Sequence, residues 1–176
     1  MERIRRGEAR DVPGIVEIIN HYILHTAITF DVEPYTVETR MPWFGQFVHD
    51  GRHQLFVAER EGRVRGWACS GPFRAKAAYE TTAEASVYTA PGEGGRGLGT
   101  RLYGQLFEAL AGQDLRRLAA GITLPNEASV RLHERMGFTR VGVFPENGRK
   151  LGRYWDVAWY DRPARPAEAP ASGVPA

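Results

Sequence analysis

A strand-like run, a loop and an amphipathic helix follow one another between Thr82 and Leu110, and the loop, Gly92-Glu-Gly-Gly-Arg-Gly-Leu-Gly-Thr100, holds five glycines in nine residues. Backbone without Cβ atoms turns sharply and can aim several N–H groups into one small space. At a helix start those donors lack intrahelical partners and the macrodipole adds positive potential, so the segment suits a phosphate. An ordinary flexible loop is the competing reading; the position between strand and helix favours anion binding. Two nucleotide loops fit poorly. Gly92 and Gly97 have the Walker spacing, but Leu98 stands where lysine is required. A dinucleotide fingerprint starting at Gly95 places Thr100 at its last glycine, and no early βαβ unit with a ribose-binding acid is evident.

Size and composition set the outer bounds. A chain of 176 residues is one domain of common size with room for a real core. Hydrophobic content of 43% and charged content of 25% describe a soluble globular protein. Net charge is only +2 despite a pI near 8.8, which gives no case for a nucleic-acid partner. The single cysteine, Cys69, cannot form an internal disulfide, which suits a reducing cytoplasm. Its setting, Gly66-Trp-Ala-Cys-Ser70, reads as a buried, inert thiol. Met1–Arg6 lacks the apolar segment of a signal peptide, and no apolar run approaches the ~18 residues of a membrane span. A cytoplasmic protein without a membrane partner is expected. His21, His25, His49 and His53 show no ligand spacing, so no metal is expected.

Periodicity gives the order of elements. Asp11 can cap a helix carrying Val12, Ile15, Val16, Ile19, Tyr22 and Ile23 on one face. After a loop or irregular stretch with Pro34, Thr39–Val48 reads as a second helix. Gln54–Glu59 and Val64–Ser70 read as a hairpin turning at Arg60-Glu-Gly-Arg63, and Gly71-Pro72 as its break. Thr82–Thr89 is the strand before the glycine loop. Thr100–Leu110 is the helix after it, with Leu102, Tyr103, Leu106, Phe107 and Leu110 inward. Leu115–Leu124 is another strand, Asn126 an N-cap, and Gly137 a left-handed helix end. Phe138–Val143 and Tyr154–Tyr160 are the last strands. The Pro/Ala-rich residues 163–176 read as a disordered tail behind a single domain over residues 1–162. The predicted class is mixed α/β.

The loop resembles the R/Q-x-x-G-x-G/A pyrophosphate loop of GNAT acetyltransferases at Gly97 and Gly99, with Gly94 standing where that pattern has Arg or Gln. The element order is also that of the GNAT fold, a mixed, mostly antiparallel (α+β) central sheet flanked by helices. A splayed strand pair in that fold would open a slot for the pantetheine arm beside the loop. Ser70–Tyr88, Leu124–Phe138, Ile19-Asn20, Thr29-Phe30 and Trp155–Trp159 are similar to the phosphinothricin and methionine sulfoximine acetyltransferase family. The likeness covers nearly everything from Ile4 to Arg162. It implies transfer of an acetyl group from acetyl-coenzyme A to the α-amine of phosphinothricin, methionine sulfoximine or methionine sulfone.

Such a reaction needs a base for the ammonium, a donor for the oxyanion, and a proton or dipole for the thiolate. Glu84, between the small residues Ala83 and Ala85, is either a half-buried base or a polar-face glutamate, and the resemblance implies catalysis. His133 is either a core histidine or an active-site base or acid, and the resemblance implies the latter. It also implies that Asn126 reaches pantetheine while capping its helix, that Val87, Tyr88 and Thr89 lend backbone groups to the same arm, and that Gly95, Arg96, Gly97, Leu98, Gly99 and Thr100 hold the pyrophosphate. Ser129 either joins them or faces solvent. For the acceptor's acid, Arg74 is the best candidate, in the run with Ala75 and Lys76. Ala85 and Ser86 would add contacts beside Glu84, with Phe30, Trp43 and Tyr79 as walls. Family members are commonly dimers, which exposed aromatics near Trp155 and Trp159 would support. Two rivals remain: a GNAT enzyme for another amine (a polyamine, a peptide N-terminus, an aminoglycoside), and a non-catalytic coenzyme A sensor.

Overall fold

A computed structural model of the chain describes residues 2–165. Seven strands form one sheet in the order β1-β2-β3-β4-β5-β7-β6. They are β1 (Glu2–Arg6), β2 (Leu55–Arg60), β3 (Arg63–Pro72), β4 (Thr82–Thr89), β5 (Arg117–Thr123), β6 (Thr139–Lys150) and β7 (Arg153–Pro163). Every neighbouring pair is antiparallel except β4 and β5. Four helices, α1 (Val12–His25), α2 (Val37–Phe44), α3 (Leu98–Leu110) and α4 (Glu127–Arg135), complete the (α+β) architecture.

Strand alternation sends successive side chains to opposite faces, and two cores result. On one face Leu102, Tyr103, Leu106 and Leu110 of α3 pack on Ala68, Ala83, Ala85 and Leu118. On the other, Ile15, Ile18, Ile19 and Ile23 of α1 pack on Val57, Trp67 and Cys69. The five inward positions expected for α3 are all buried.

Several local expectations are corrected. The strand β1 was not foreseen: Glu2–Arg6 is short, rich in arginine and lacks clear alternation, and it becomes a strand by pairing with β2 at the sheet edge. Asp11 precedes α1 but bonds none of its N–H groups. Its buried carboxylate accepts from both Nη atoms of Arg5 at 2.7 Å and from the Glu8 N–H at 2.8 Å. The second helix begins at Val37, not Thr39, because Thr36 accepts from the Thr39 N–H in a reciprocal cap. It ends at Phe44, four residues before Val48. Gly71-Pro72 lies beyond the β2–β3 pairing, which stops at Cys69 as expected, but β3 itself runs past Ser70 and continues against β4 as far as Pro72. The helix α3 starts at Leu98, since Gly97 at φ +74° supplies the left-handed turn into it. The last hairpin is longer at both strands, with register irregularities between Arg140 and Gly142 and between Phe144 and Gly148. Other features fall as the sequence indicates. Residues Thr82–Thr89 form β4, Asn126 Oδ1 accepts from the Ser129 N–H, and Gly137 has φ +84°. β7 runs through Pro163, and Ala164 is buried with its N–H donated to the Arg116 carbonyl. Residues 166–176, where a tail is expected, lie outside the described residues.

Candidate active site

Parallel pairing of β4 and β5 covers only Thr82–Glu84 against Arg117–Ala119. Beyond Glu84 the strands part. The fork opens a cavity of about 50 Å³ between Ala85–Tyr88 and Gly121–Thr123, closed from one side by Tyr103, Asn126, Ser129 and His133. It adjoins a groove of about 410 Å³ that shares Val87, Tyr88, Asn126 and Ser129 with it and continues over the glycine loop.

Gly92, Gly95 and Gly97 all have φ between +74° and +83°, so the loop needs the freedom of glycine at those three points. The Arg101 N–H bonds the Gly97 carbonyl, which leaves the N–H groups of Leu98, Gly99 and Thr100 as the unpaired first turn of α3. A Cβ on Gly99 would come within 2.9 Å of Leu132 Cδ2, so this glycine lets α4 close over the loop. Glu93 would oppose an anion, but it is turned inward and ion-paired with Arg60, which holds its carboxyl below the ordinary range. Val87, Tyr88, Thr89, Gly95, Gly97, Leu98, Gly99, Thr100, Asn126 and Ser129 all line the groove. Leu98 can serve only through its backbone, because its side chain is in the core. The Thr89 carbonyl already accepts from Tyr22 Oη at 2.8 Å. Arg96 lies outside the groove's lining, its side chain 68% exposed. Arg131 and Arg135, four residues apart on α4, add two cations to the lining. On a polar helix face they read as solvated charges, so spacing gave no signal for them.

Glu84 and His133 approach the fork from opposite faces. Ala83 and Ala85 pack toward α3, so alternation turns Glu84 to the α1/α2 face with Ser86 and Tyr88. Burial raises the Glu84 carboxyl above its usual range, while the Arg74 charge pulls it back. His133 is 4% exposed on the α3 side. Its Nδ1 lies 2.8 Å from the Ser129 carbonyl oxygen, which can only accept, so the proton is on Nδ1. The Nε2 atom, 2.9 Å from Tyr103 Oη, then accepts from that hydroxyl. Burial lowers the His133 pKa, consistent with a neutral ring. Both nitrogens are therefore engaged. Tyr103, read from sequence as a core residue, is both that and a lining residue of the cavity; an inward position on a helix looks the same in either role.

The acceptor residues divide. Arg74 lies over Phe73 at 4.7 Å and Trp159 at 5.6 Å, and is the cation that acts on Glu84. Ser86 lines the cavity, whereas the Ala85 side chain is in the α3 core and reaches it only at the strand edge. Ala75 and Lys76 are exposed, and Lys76 forms no ion pair among the described residues. Tyr79 is 44% exposed and touches Phe73 edge-on. Phe30 fits against Gly148, where a Cβ would meet its ring at 2.1 Å, so it ties the Ala27–Thr36 stretch to the last hairpin. Lys150 strengthens that tie by donating to the Thr29 carbonyl at 2.7 Å. Trp43 packs edge-on against Trp67 in the α1/α2 core. The Cys69 thiol is buried and pushed up to about 12, so it is inert at neutral pH. Among the described residues no group of His, Cys, Asp or Glu is arranged to hold a metal, and no helix is long and apolar enough to cross a membrane.

A sheet forked between two parallel strands, with a glycine loop capping the next helix, defines the class. The chain belongs to the acetyltransferase (GNAT) family, whose model matches residues 17–138, and within it to the phosphinothricin and methionine sulfoximine acetyltransferases. It is 52% identical over 163 residues to phosphinothricin N-acetyltransferase of Streptomyces coelicolor, covering 92% of this chain and 95% of that one. It is 34% identical over 156 residues to the L-methionine sulfoximine/L-methionine sulfone acetyltransferase of Salmonella typhimurium, covering 89% and 91%. The crystal structure of a GNAT superfamily phosphinothricin acetyltransferase from Sinorhizobium meliloti in complex with acetyl-coenzyme A is 30% identical, with a TM-score of 0.85 over 98% of this chain and 95% of that one.

Proposed function

We propose that this protein transfers the acetyl group of acetyl-coenzyme A to the α-amine of a small amino acid analogue: phosphinothricin, methionine sulfoximine or methionine sulfone. The observation that carries the reading is the position of Glu84, a half-buried carboxylate at the last paired residue before the fork. Coenzyme A lies along the groove, with its pyrophosphate on the first-turn N–H groups of α3 and its pantetheine along the unpaired edge of β4. The acetyl thioester enters the fork. Arg74 holds the acceptor's α-carboxylate and so sets the adjacent ammonium beside Glu84. The carboxylate takes one ammonium proton, directly or through water, and the freed amine forms a C–N bond to the thioester carbon. As the tetrahedral adduct collapses the C–S bond breaks, the nitrogen gives up its second proton to the departing thiolate, and coenzyme A leaves as the thiol on the face of the Tyr103–His133 pair. No acyl-enzyme is needed, because Glu84 and the thioester meet at the same opening.

The same reading makes the protein a homodimer. Phe144, Tyr154, Val141 and Leu151 of the last hairpin are 53–68% exposed. Trp155 and Trp159 do not supply this surface: Trp155 donates to the Lys150 carbonyl under Arg153, and Trp159 packs on Phe73 and Gly121.

Free-thiol release from acetyl-coenzyme A, followed with phosphinothricin, methionine sulfoximine, methionine sulfone, spermidine and a short peptide, tests the acceptor. Saturable release with one or more of the first three is expected. Release with spermidine or peptide alone would keep the chemistry and discard the acceptor. Binding of coenzyme A without turnover of any amine would make the protein a sensor.

A further inference from the structure

The glycine loop has few means of holding its own shape. Glycine loses more conformational freedom on ordering than any other residue, and five of them stand in Gly92–Thr100. From Pro91 to Gly97 only Glu93 is buried. Gly94, where the related loop has Arg or Gln, brings no side chain that could tie the segment down. Glu93 is therefore the loop's one buried anchor ahead of Leu98, which enters the core.

That anchor belongs to a chain of ion pairs that closes around the loop. The Glu93 carboxylate accepts from Arg60 Nη2, and Arg60 Nη1 donates to its other oxygen at 3.4 Å. Arg60 Nη1 also lies 3.5 Å from Glu2 Oε2, the two residues being register partners in β1 and β2. Glu2 accepts in turn from Arg101 Nη2. Arg101 is in the first turn of α3, and its N–H bonds the Gly97 carbonyl. Glu93, Arg60, Glu2 and Arg101 thus join the start of the loop to the helix turn at its end, by way of β2 and β1. The Glu93 and Glu2 side chains are only 8% and 14% exposed, so solvent screens these pairs less than surface ones. Arg65 and Arg96, at 4.0 and 3.8 Å from Glu93, add to its cationic surround.

A carboxylate in the lining of a groove for a polyanion opposes binding by its charge alone. What it holds in place accounts for its presence. Ordering a glycine-rich loop at the moment of binding weakens affinity, and a loop ordered beforehand avoids that cost. We infer that Glu93 and Glu2 are positioning residues for coenzyme A: through Arg60 and Arg101 they clamp both ends of the glycine loop, so that the first-turn N–H groups of α3 stand ready for the pyrophosphate. Neither acts on the reacting atoms. The clamp presumes the pyrophosphate position proposed above, and it carries the cofactor site out to β1, whose Glu2 lines no part of the groove.

Calorimetry of acetyl-coenzyme A binding to the whole protein tests the clamp, because the two accounts of Glu93 differ in sign. If it positions the loop, Glu93→Gln, which keeps the shape and loses the ion pairs, raises Kd about threefold or more at unchanged stoichiometry. If it is a bystander charge, its removal lowers Kd or leaves it alone. Glu2→Gln, outside the groove, should raise Kd about twofold or more. The double variant should lose less than the product of the two, because both act through Arg60. Partial misfolding would instead lower the stoichiometry and leave the Kd of the folded fraction as it was. A smaller rise in either single variant, or losses that multiply in the double one, overturns the clamp and leaves the groove assigned. Should Glu93→Gln not fold, Glu2→Gln decides by whether its Kd rises. A wild-type protein that binds no acetyl-coenzyme A overturns the groove reading and the clamp together.

Discussion

On the proposed mechanism Glu84 serves the chemistry at the expense of the fold. Its folded pKa is raised, so as pH climbs the unfolded chain releases the proton first, and stability falls between the unfolded value and the folded one. Glu84→Gln removes that fall. Its Tm should match wild type at about pH 4, exceed it by a margin that grows until the pH passes the folded value and then stays level, while kcat drops on the order of 10²–10⁴-fold for loss of a general base. A Tm difference that does not grow with pH, or turnover that survives, would contradict the role. His133 has the opposite linkage: its folded value is lowered, so its neutral, doubly bonded ring contributes stability that is lost as pH falls below the ordinary histidine range. The residue scale is also where sequence reading is weakest. Arg40 sits on a helix whose polar and apolar positions alternate without a clear stripe, and nothing in Glu38-Thr-Arg-Met-Pro-Trp43 separates a buried cation from a solvated one.

At the scale of elements, turn and cap chemistry were legible because they are local. Glu61 and Gly62, at φ +55° and +72°, make the two-residue turn expected for Arg60–Arg63. Asn126 and Gly137 bracket α4 as their residue types dictate. The glycine loop belongs here too. Gly97→Ala forces a Cβ into φ +74°, a strain of about 1–2 kcal/mol, at the point where the N–H groups of α3 are aimed. The expected result is a raised Kd for acetyl-coenzyme A by calorimetry, together with a small loss of Tm; unaltered affinity would mean the pyrophosphate lies elsewhere. Gly94, where the related loop has Arg or Gln, has open space beside it, so the backbone and the nearby Arg131 and Arg135 carry the electrostatics of the groove.

Across the whole molecule, distant segments are joined by groups with no local signature. Arg5 of β1 reaches Asp11 and Glu59 together, tying the edge of the sheet to the entrance of α1. Gln54, wholly buried, accepts from Arg6 and donates to the Gly51 carbonyl. Lys150 and Gly148 bring the last hairpin onto the Thr29-Phe30 segment. The exposed apolar residues of that hairpin set the prediction at this scale: sedimentation velocity should give a dimer for wild type and a monomer for the Phe144→Asp, Tyr154→Asp double variant. A monomeric wild type would refute the assembly, and a variant that stays dimeric would move the interface.

The sequence alone determined what depends on short range: the order of elements from α1 onward, the glycine loop ahead of its helix, the ends of α4 at Asn126 and Gly137, and the inward stripe of α3. Each follows from propensity and periodicity within a few residues, and the likeness in Ser70–Tyr88 and Leu124–Phe138 tied them to one chemistry. Only the tertiary structure decided that Glu2–Arg6 is a strand, that β4 and β5 part after Glu84, that Glu84 and His133 face the fork from opposite sides, and that Arg40 is buried with its Nε unpartnered among the described residues. Those facts rest on pairing, burial and desolvation between segments far apart in the chain, and none of them leaves a period or a spacing to read.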